Sequence, residues 1–140
     1  MKIALGSDHA GFPLKEALKG MLKGHEIVDL GCFTPERVDY PVVGKELAEK
    51  VSRGDFDRGI LVCGSGIGIS MAANRVRGAR AALCSEPLSA RLSREHNDAN
   101  ILCMGARLVG EEMANAILQA FLETPFSGGR HEQRIRLLDQ

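Results

Sequence analysis

The stretch from Cys63 to Ser70, CGSGIGIS, sets a cysteine directly before three glycines that alternate with small or apolar residues. Glycines let backbone N–H groups approach a ligand, and the N-terminus of a following helix favours negative charge. Such a loop can cradle a phosphate, or an oxyanion that forms during a reaction. It fits the familiar nucleotide loops poorly. Counted from Gly64, a dinucleotide fingerprint needs glycine at the sixth position, where Ile69 stands. Glu86 does lie near the distance at which an acidic residue meets a ribose hydroxyl, which keeps a dinucleotide reading open. A Walker loop is excluded, because Gly-Lys-Ser/Thr occurs nowhere in the chain. A tight turn that packs a helix closely on a strand is the plain alternative.

Cys63 ends an apolar run and faces the start of a helix, a position that favours a thiolate. A thiolate there serves as a general base or a nucleophile. The competing reading is a small buried core residue, the ordinary fate of a free cysteine and the default for Cys32, Cys84 and Cys103. Asp8 and His9 pair an acid with an imidazole, suited to proton transfer or to sugar hydroxyls, or else to a helix cap beside an exposed histidine. His96 and Asn97 close a helical stretch, where a plain C-terminal cap is the alternative. Arg130 and Arg134 stand one helical turn apart behind two glycines, with His131 and Arg136 near. Paired arginines suit bidentate phosphate binding, or form a solvated surface. Arg75, Arg77 and Arg80 read as a solvated helix end without a role.

These residues must be positioned by elements that alternate along the chain. Strands are expected at 2–7, 26–31, 58–64, 79–85 and 99–106. Helices are expected at 12–24, 39–54, 67–76, 87–97, 110–123 and 130–139. Strict alternation predicts an α/β fold: a Rossmann-like three-layer αβα sandwich with a five-stranded parallel sheet and an added C-terminal helix. Ligands in such folds collect beyond the carboxyl ends of the strands. That edge gathers Asp8, His9, the glycine loop, Ser85, Glu86 and Arg107. His96 and Asn97 precede the fifth strand and belong to the opposite edge. If they share a site with Cys63, a second chain must supply them, and symmetric dimers make that plausible.

The totals set bounds. With 140 residues the chain reads as one domain over 1–140, and 44% hydrophobic content is enough for a core. Lys+Arg and Asp+Glu are both 18, so no global field attracts nucleic acid or an acidic membrane surface. No apolar stretch suits a signal peptide or a membrane span. The four cysteines are scattered without a Cys-x-x-Cys pair, so neither a metal knot nor a disulfide framework is indicated. A cytoplasmic location is expected.

The motifs GSDHAG, DYP, CGSGIGISMAAN, SEPLSARLSREHNDANILCMGARLVG and TPFSGGRHEQRI, in this order, resemble the ribose-5-phosphate isomerase B family over essentially the whole chain. That family also contains allose-6-phosphate and galactose-6-phosphate isomerases. The resemblance implies an aldose–ketose isomerase that needs neither metal nor organic cofactor. It implies that Cys63 removes the C2 proton and that Gly64, Ser65, Gly66, Ile67 and Gly68 hold the enediolate. It further implies that His96, aided by Asp8, opens the sugar ring. Asn97 matches a substrate-binding position, and His9, Arg107, Arg130 and Arg134 match positions for phosphate and sugar. One branch of the family replaces the cysteine by a glutamate just after the glycine loop; Ile69 stands there in this chain. Galactose-6-phosphate enzymes divide these residues between two different subunits. This chain carries all of them, which favours a homodimer or a tetramer of one chain. Ser65 is a candidate for relaying a proton between the sugar oxygens. The rival from another class is a Rossmann-like sensor that binds a nucleotide or sugar phosphate without turnover.

Overall fold

Alternate residues of the central strands are buried on opposite faces, which is why these strands read as continuous apolar runs. In β1 (Lys2–Ser7), Ile3 and Leu5 enter one core cluster and Ala4 the other. In β3 (Arg58–Cys63), Ile60 and Val62 oppose Leu61 and Cys63. In β5 (Ile101–Gly105), Leu102 and Met104 oppose Ile101 and Cys103. With β2 (Glu26–Asp29) and β4 (Ala81–Leu83) they form one sheet in the order β2-β1-β3-β5-β4, every pair parallel. The computed structural model describes residues 1–140.

Helices α1 (Phe12–Lys19), α4 (Pro87–Asn97) and α5 (Glu111–Glu123) cover one face, through Leu14, Leu18, Ala90, Ile117, Leu118 and Phe121. Helices α2 (Tyr40–Ser52) and α3 (Ile67–Ala73) cover the other, through Val43, Leu47, Val51, Ile69 and Ala73. Each buried Val, Leu, Ile or Phe among these contributes roughly 1.5–3 kcal/mol relative to exposure. The added α6 (His131–Leu138) packs against α4. The fold expected from alternation is therefore the observed one. No helix is long and apolar enough to cross a membrane.

Element ends differ from the sequence expectation. The first helix ends at Lys19 rather than at Gly24, because the chain tightens into turns at Gly20 and Met21. Leu22 still buries completely, so its apolar character prolonged the helical pattern past the helix. The second strand stops at Asp29 because Gly31 adopts φ 111. The edge strand shortens to Ala81–Leu83, since only β5 pairs with it. The remaining ends move by a few residues at most.

A buried ion pair fixes the loop that follows β2. Lys15 is fully buried, and its Nζ donates to Asp29 Oδ1 and Oδ2 at 2.8 and 2.7 Å and to the Cys32 carbonyl. Lys19 Nζ also meets Asp29 Oδ2 at 2.7 Å. Burial alone would push the Asp29 carboxyl up. Hydrogen bonds from Lys15, Lys19 and the Gly31 N–H outweigh that and hold it below the usual carboxylate range. A lowered carboxyl contributes stability that is fully present above its ordinary unfolded value, near 3.8, and is lost as pH falls through the folded value. Lys15→Met leaves a partly buried carboxylate short of its main partner and is expected to cost about 3 kcal/mol at neutral pH. Thermal melts from about pH 7 to about pH 3 check both points: the wild type loses stability below about pH 4, and the variant, already destabilised, loses less there.

Candidate active site

The strand order reverses between β1 and β3, the neighbours from which the chain departs in opposite directions. A crevice forms beyond their carboxyl ends at such a point. Here it is an open cavity of about 590 Å3, lined by Asp8, His9, Tyr40, Cys63, Gly64, Ser65, Ile67, Gly68, Met71 and Arg107, among others. The register sets Ser7 beside Val62 and Cys63 beside Gly105, so three strand ends converge on the loop.

The loop is shaped around the cysteine. Gly66 caps α3 with φ 78, the left-handed region that favours glycine. Its N–H turns back and donates to Cys63 Sγ at 3.1 Å. A Cβ on Gly66 would stand 2.5 Å from Leu83 Cδ1 and 2.8 Å from the Met104 carbonyl carbon, so no larger residue fits. The Ser65 hydroxyl accepts from the Ile67 N–H at 3.2 Å and remains half-exposed in the cavity. Cys63 itself is 4% exposed, buried yet at the cavity wall. It thus packs into the core and also lines the cavity.

Asp8 is buried and takes the Gly11 N–H on Oδ1 at 2.9 Å, closing the turn into α1. His9 Nδ1 lies 3.3 Å from both the N–H and the carbonyl oxygen of Val38, which ties β1 to the loop before α2. Arg107 is exposed and lies over the loop, with Nη1 3.2 Å from where a Gly64 Cβ would be. No cluster of three His, Cys, Asp or Glu side chains is arranged to hold a metal ion.

The other expected residues lie elsewhere. His96 and Asn97 end α4, Arg130 caps α6 and Arg134 lies in its first turn; none of them lines the Cys63 cavity. His96 and Asn97 are exposed, as are both arginines. Asn97 lines a separate cavity of about 350 Å3 with Arg80, Ser93 and Leu138. One chain therefore brings Asp8, His9, Arg107 and the Cys63 loop together and leaves the second group on α4 and α6.

Three features escaped the sequence reading. Tyr40, in the quoted DYP motif, forms a wall of the cavity: a Cβ on Gly68 would meet its ring at 2.6 Å. The signal was a glycine with no turn to make. Arg80 is not solvated; it binds Asp139 Oδ2 at 2.8 Å and the Asp98 carbonyl at 3.0 Å, tying β4 to the end of α6. Glu86, kept open as a ribose ligand, spends its carboxylate on the Ser89 N–H at 3.0 Å as the cap of α4.

Comparison with known proteins shows the family. Residues 3–138 match the family described as Ribose/Galactose Isomerase. The chain is 49% identical to ribose-5-phosphate isomerase B of Escherichia coli, over 98% of this chain and 93% of that protein. It is 38% identical to galactose-6-phosphate isomerase subunit LacB of Clostridium acetobutylicum, over 96% of this chain and 79% of that one. Its structure superposes on a ribose 5-phosphate isomerase from Thermotoga maritima with a TM-score of 0.96 and 54% identity, covering 99% and 97% of the two chains. The likeness first carried by short motifs thus extends through the whole sheet and every helix, and the chain belongs to the ribose/galactose isomerase family, a family of aldose–ketose isomerases.

Proposed function

We propose that the protein interconverts ribose 5-phosphate and ribulose 5-phosphate in the cytoplasm, as one isomerase domain per chain in a homodimer or tetramer. The observation that carries this reading is Cys63 at the cavity wall with the Gly66 N–H on its sulfur. The C2 proton of an aldose is a weak acid, so its removal needs a placed base and a stabilised enediolate. Cys63 takes that proton and returns it to C1, while N–H groups of the loop from Gly64 to Gly68 face the enediolate oxygen. Hydrogen moves as a proton within one molecule, so no redox cofactor is called for. Ser65 relays a proton between the two sugar oxygens.

Ribose 5-phosphate is mostly cyclic, and ring opening precedes the proton transfer. His96 gives a proton to the ring oxygen as its bond to C1 breaks. The C1 hydroxyl proton leaves toward Asp8, and the aldehyde remains. Asn97 and His9 hold sugar hydroxyls, and Arg107, Arg130 and Arg134 hold the phosphate and so fix the reacting carbons near the base. His96, Asn97, Arg130 and Arg134 come from a second copy, since they lie apart from Cys63 within one chain. Four free cysteines suit a reducing compartment.

The LacB relative favours a second reading, a six-carbon sugar phosphate as substrate. Turnover measured across ribose, allose and galactose phosphates decides between them, with the highest kcat/KM expected for ribose 5-phosphate. Thermal stabilisation by NAD or AMP, with no turnover of any aldose phosphate, would instead identify a binding protein.

A further inference from the structure

Helices α4 and α6 meet through two imidazoles. The ring centroids of His96 and His131 lie 4.7 Å apart, with planes inclined by only 19°. The rings differ in setting: His96 is exposed, whereas His131 is buried beneath it at 9% exposure. The backbone places the lower ring. Ser127 N–H donates to the Glu95 carbonyl at 3.1 Å, one residue before His96. Gly128 and Gly129, both at positive φ, then reverse the chain, and the His131 N–H closes on the Gly128 carbonyl at 3.3 Å. The stack is therefore built by a fixed turn and leaves the upper ring one face toward solvent.

The titratable and charged groups that act on His131 are His96 from α4, Arg134 from α6 and Arg130, the residue that caps α6. Burial, then these neighbours, hold the His131 imidazole below the usual histidine range.

We propose that His131 is a positioning residue for ring opening: stacked under His96, it acts as a flat platform that fixes the orientation of that imidazole. This rests on the reading of His96 as the ring-opening acid. The platform needs a flat ring and does not itself touch the substrate.

Sugar chemistry separates this role from general ones. Ribose 5-phosphate closes a ring through its C4 oxygen. Ribulose 5-phosphate cannot close a furanose, because its C5 oxygen carries the phosphate. Turnover of the aldose therefore includes ring opening, whereas exchange of the ketose C1 hydrogen with deuterated water needs only the base and the enediolate site. The experiment compares both rates in the full-length His131→Ala, His131→Phe and His96→Ala proteins. His131→Ala is expected to lower kcat on ribose 5-phosphate by about tenfold and to leave ketose exchange within about twofold. His131→Phe, which keeps a buried flat ring, restores most of the aldose rate. Unchanged aldose turnover in His131→Ala overturns the proposal, as does an equal loss of both rates or a phenylalanine variant no better than alanine. A rise in KM for both sugars also overturns it and makes His131 a phosphate ligand. His96→Ala separates the two levels. If it spares aldose turnover, the acid assignment itself fails. If it selectively removes aldose turnover while His131→Ala does not, only the platform fails.

Discussion

Cys63→Ala is expected to lower kcat for ribose 5-phosphate isomerisation by about a thousandfold, while sugar phosphate binding stays within a few-fold of the wild type. The size follows from what the thiol does. Within the Cys63 cavity the other titratable side chains that could accept a proton are Asp8, His9 and Tyr40. Asp8 is engaged by the Gly11 N–H, and His9 by Val38. None of the three stands in the glycine loop or directly before it, as Cys63 does. Binding is expected to survive because the proposed contacts of the arginines with phosphate, and of Asn97 and His9 with sugar hydroxyls, are not touched by the substitution. Folding should also survive: the variant loses one small side chain and one partner for the Gly66 N–H, about 1 kcal/mol. Cys63→Ser is the sharper variant. It keeps an acceptor for that N–H but offers a hydroxyl far too weak as an acid to supply the base, so it should be nearly as inactive. Steady-state kinetics and calorimetric titration with ribulose 5-phosphate measure the two quantities. Substantial turnover in Cys63→Ser, well above one hundredth of the wild-type rate, would remove the cysteine from the reaction.

The same residues show what could be seen before the structure. Strand and helix alternation was legible because Ile3, Ile60 and Leu102 must bury one face while Ala4, Leu61 and Ile101 bury the other, and that leaves an unbroken apolar run in the sequence. The edge carrying Asp8, His9, Cys63 and Arg107 followed from the direction of parallel strands. Tertiary pairings were not legible. Lys15 sits between Leu14 and Glu16 in the sequence, and nothing local says that it buries completely against Asp29 while Lys19 meets the same carboxylate from the surface. Arg80 looked like one of three solvated arginines, because its partner Asp139 comes from the far end of the chain. The stack of His96 on His131 depends on how α6 lands on α4, which no periodicity within either helix reveals. Helix ends failed where burial continues into a turn, as at Leu22.

Separation of the two groups of site residues leads to the second large effect. Cys63→Ala and His96→Ala chains should each be nearly inactive alone, yet a mixture that has exchanged subunits should regain activity. The argument is geometric. Cys63 lies beyond the carboxyl end of β3, whereas His96 ends α4, the helix that returns the chain to the start of β5. One chain therefore cannot present both to the same sugar without unfolding α4. The proposed two-fold dimer sets each cavity against the other copy's α4 and α6. A mixed dimer then holds one site with both substitutions and one with neither. With equal amounts and random pairing, half of the dimers are mixed and each has one intact site, so recovery should approach about one quarter of the wild-type rate. Exchange can be verified by mass spectrometry of chains that differ in an affinity tag. If mixed dimers are present and the rate remains that of the single variants, Cys63 and His96 do not serve one substrate from two chains. If His96→Ala alone is fully active, the residue has no part in turnover. Recovery near one quarter, in contrast, requires a site completed across the interface, because a site built within one chain would stay broken in every dimer.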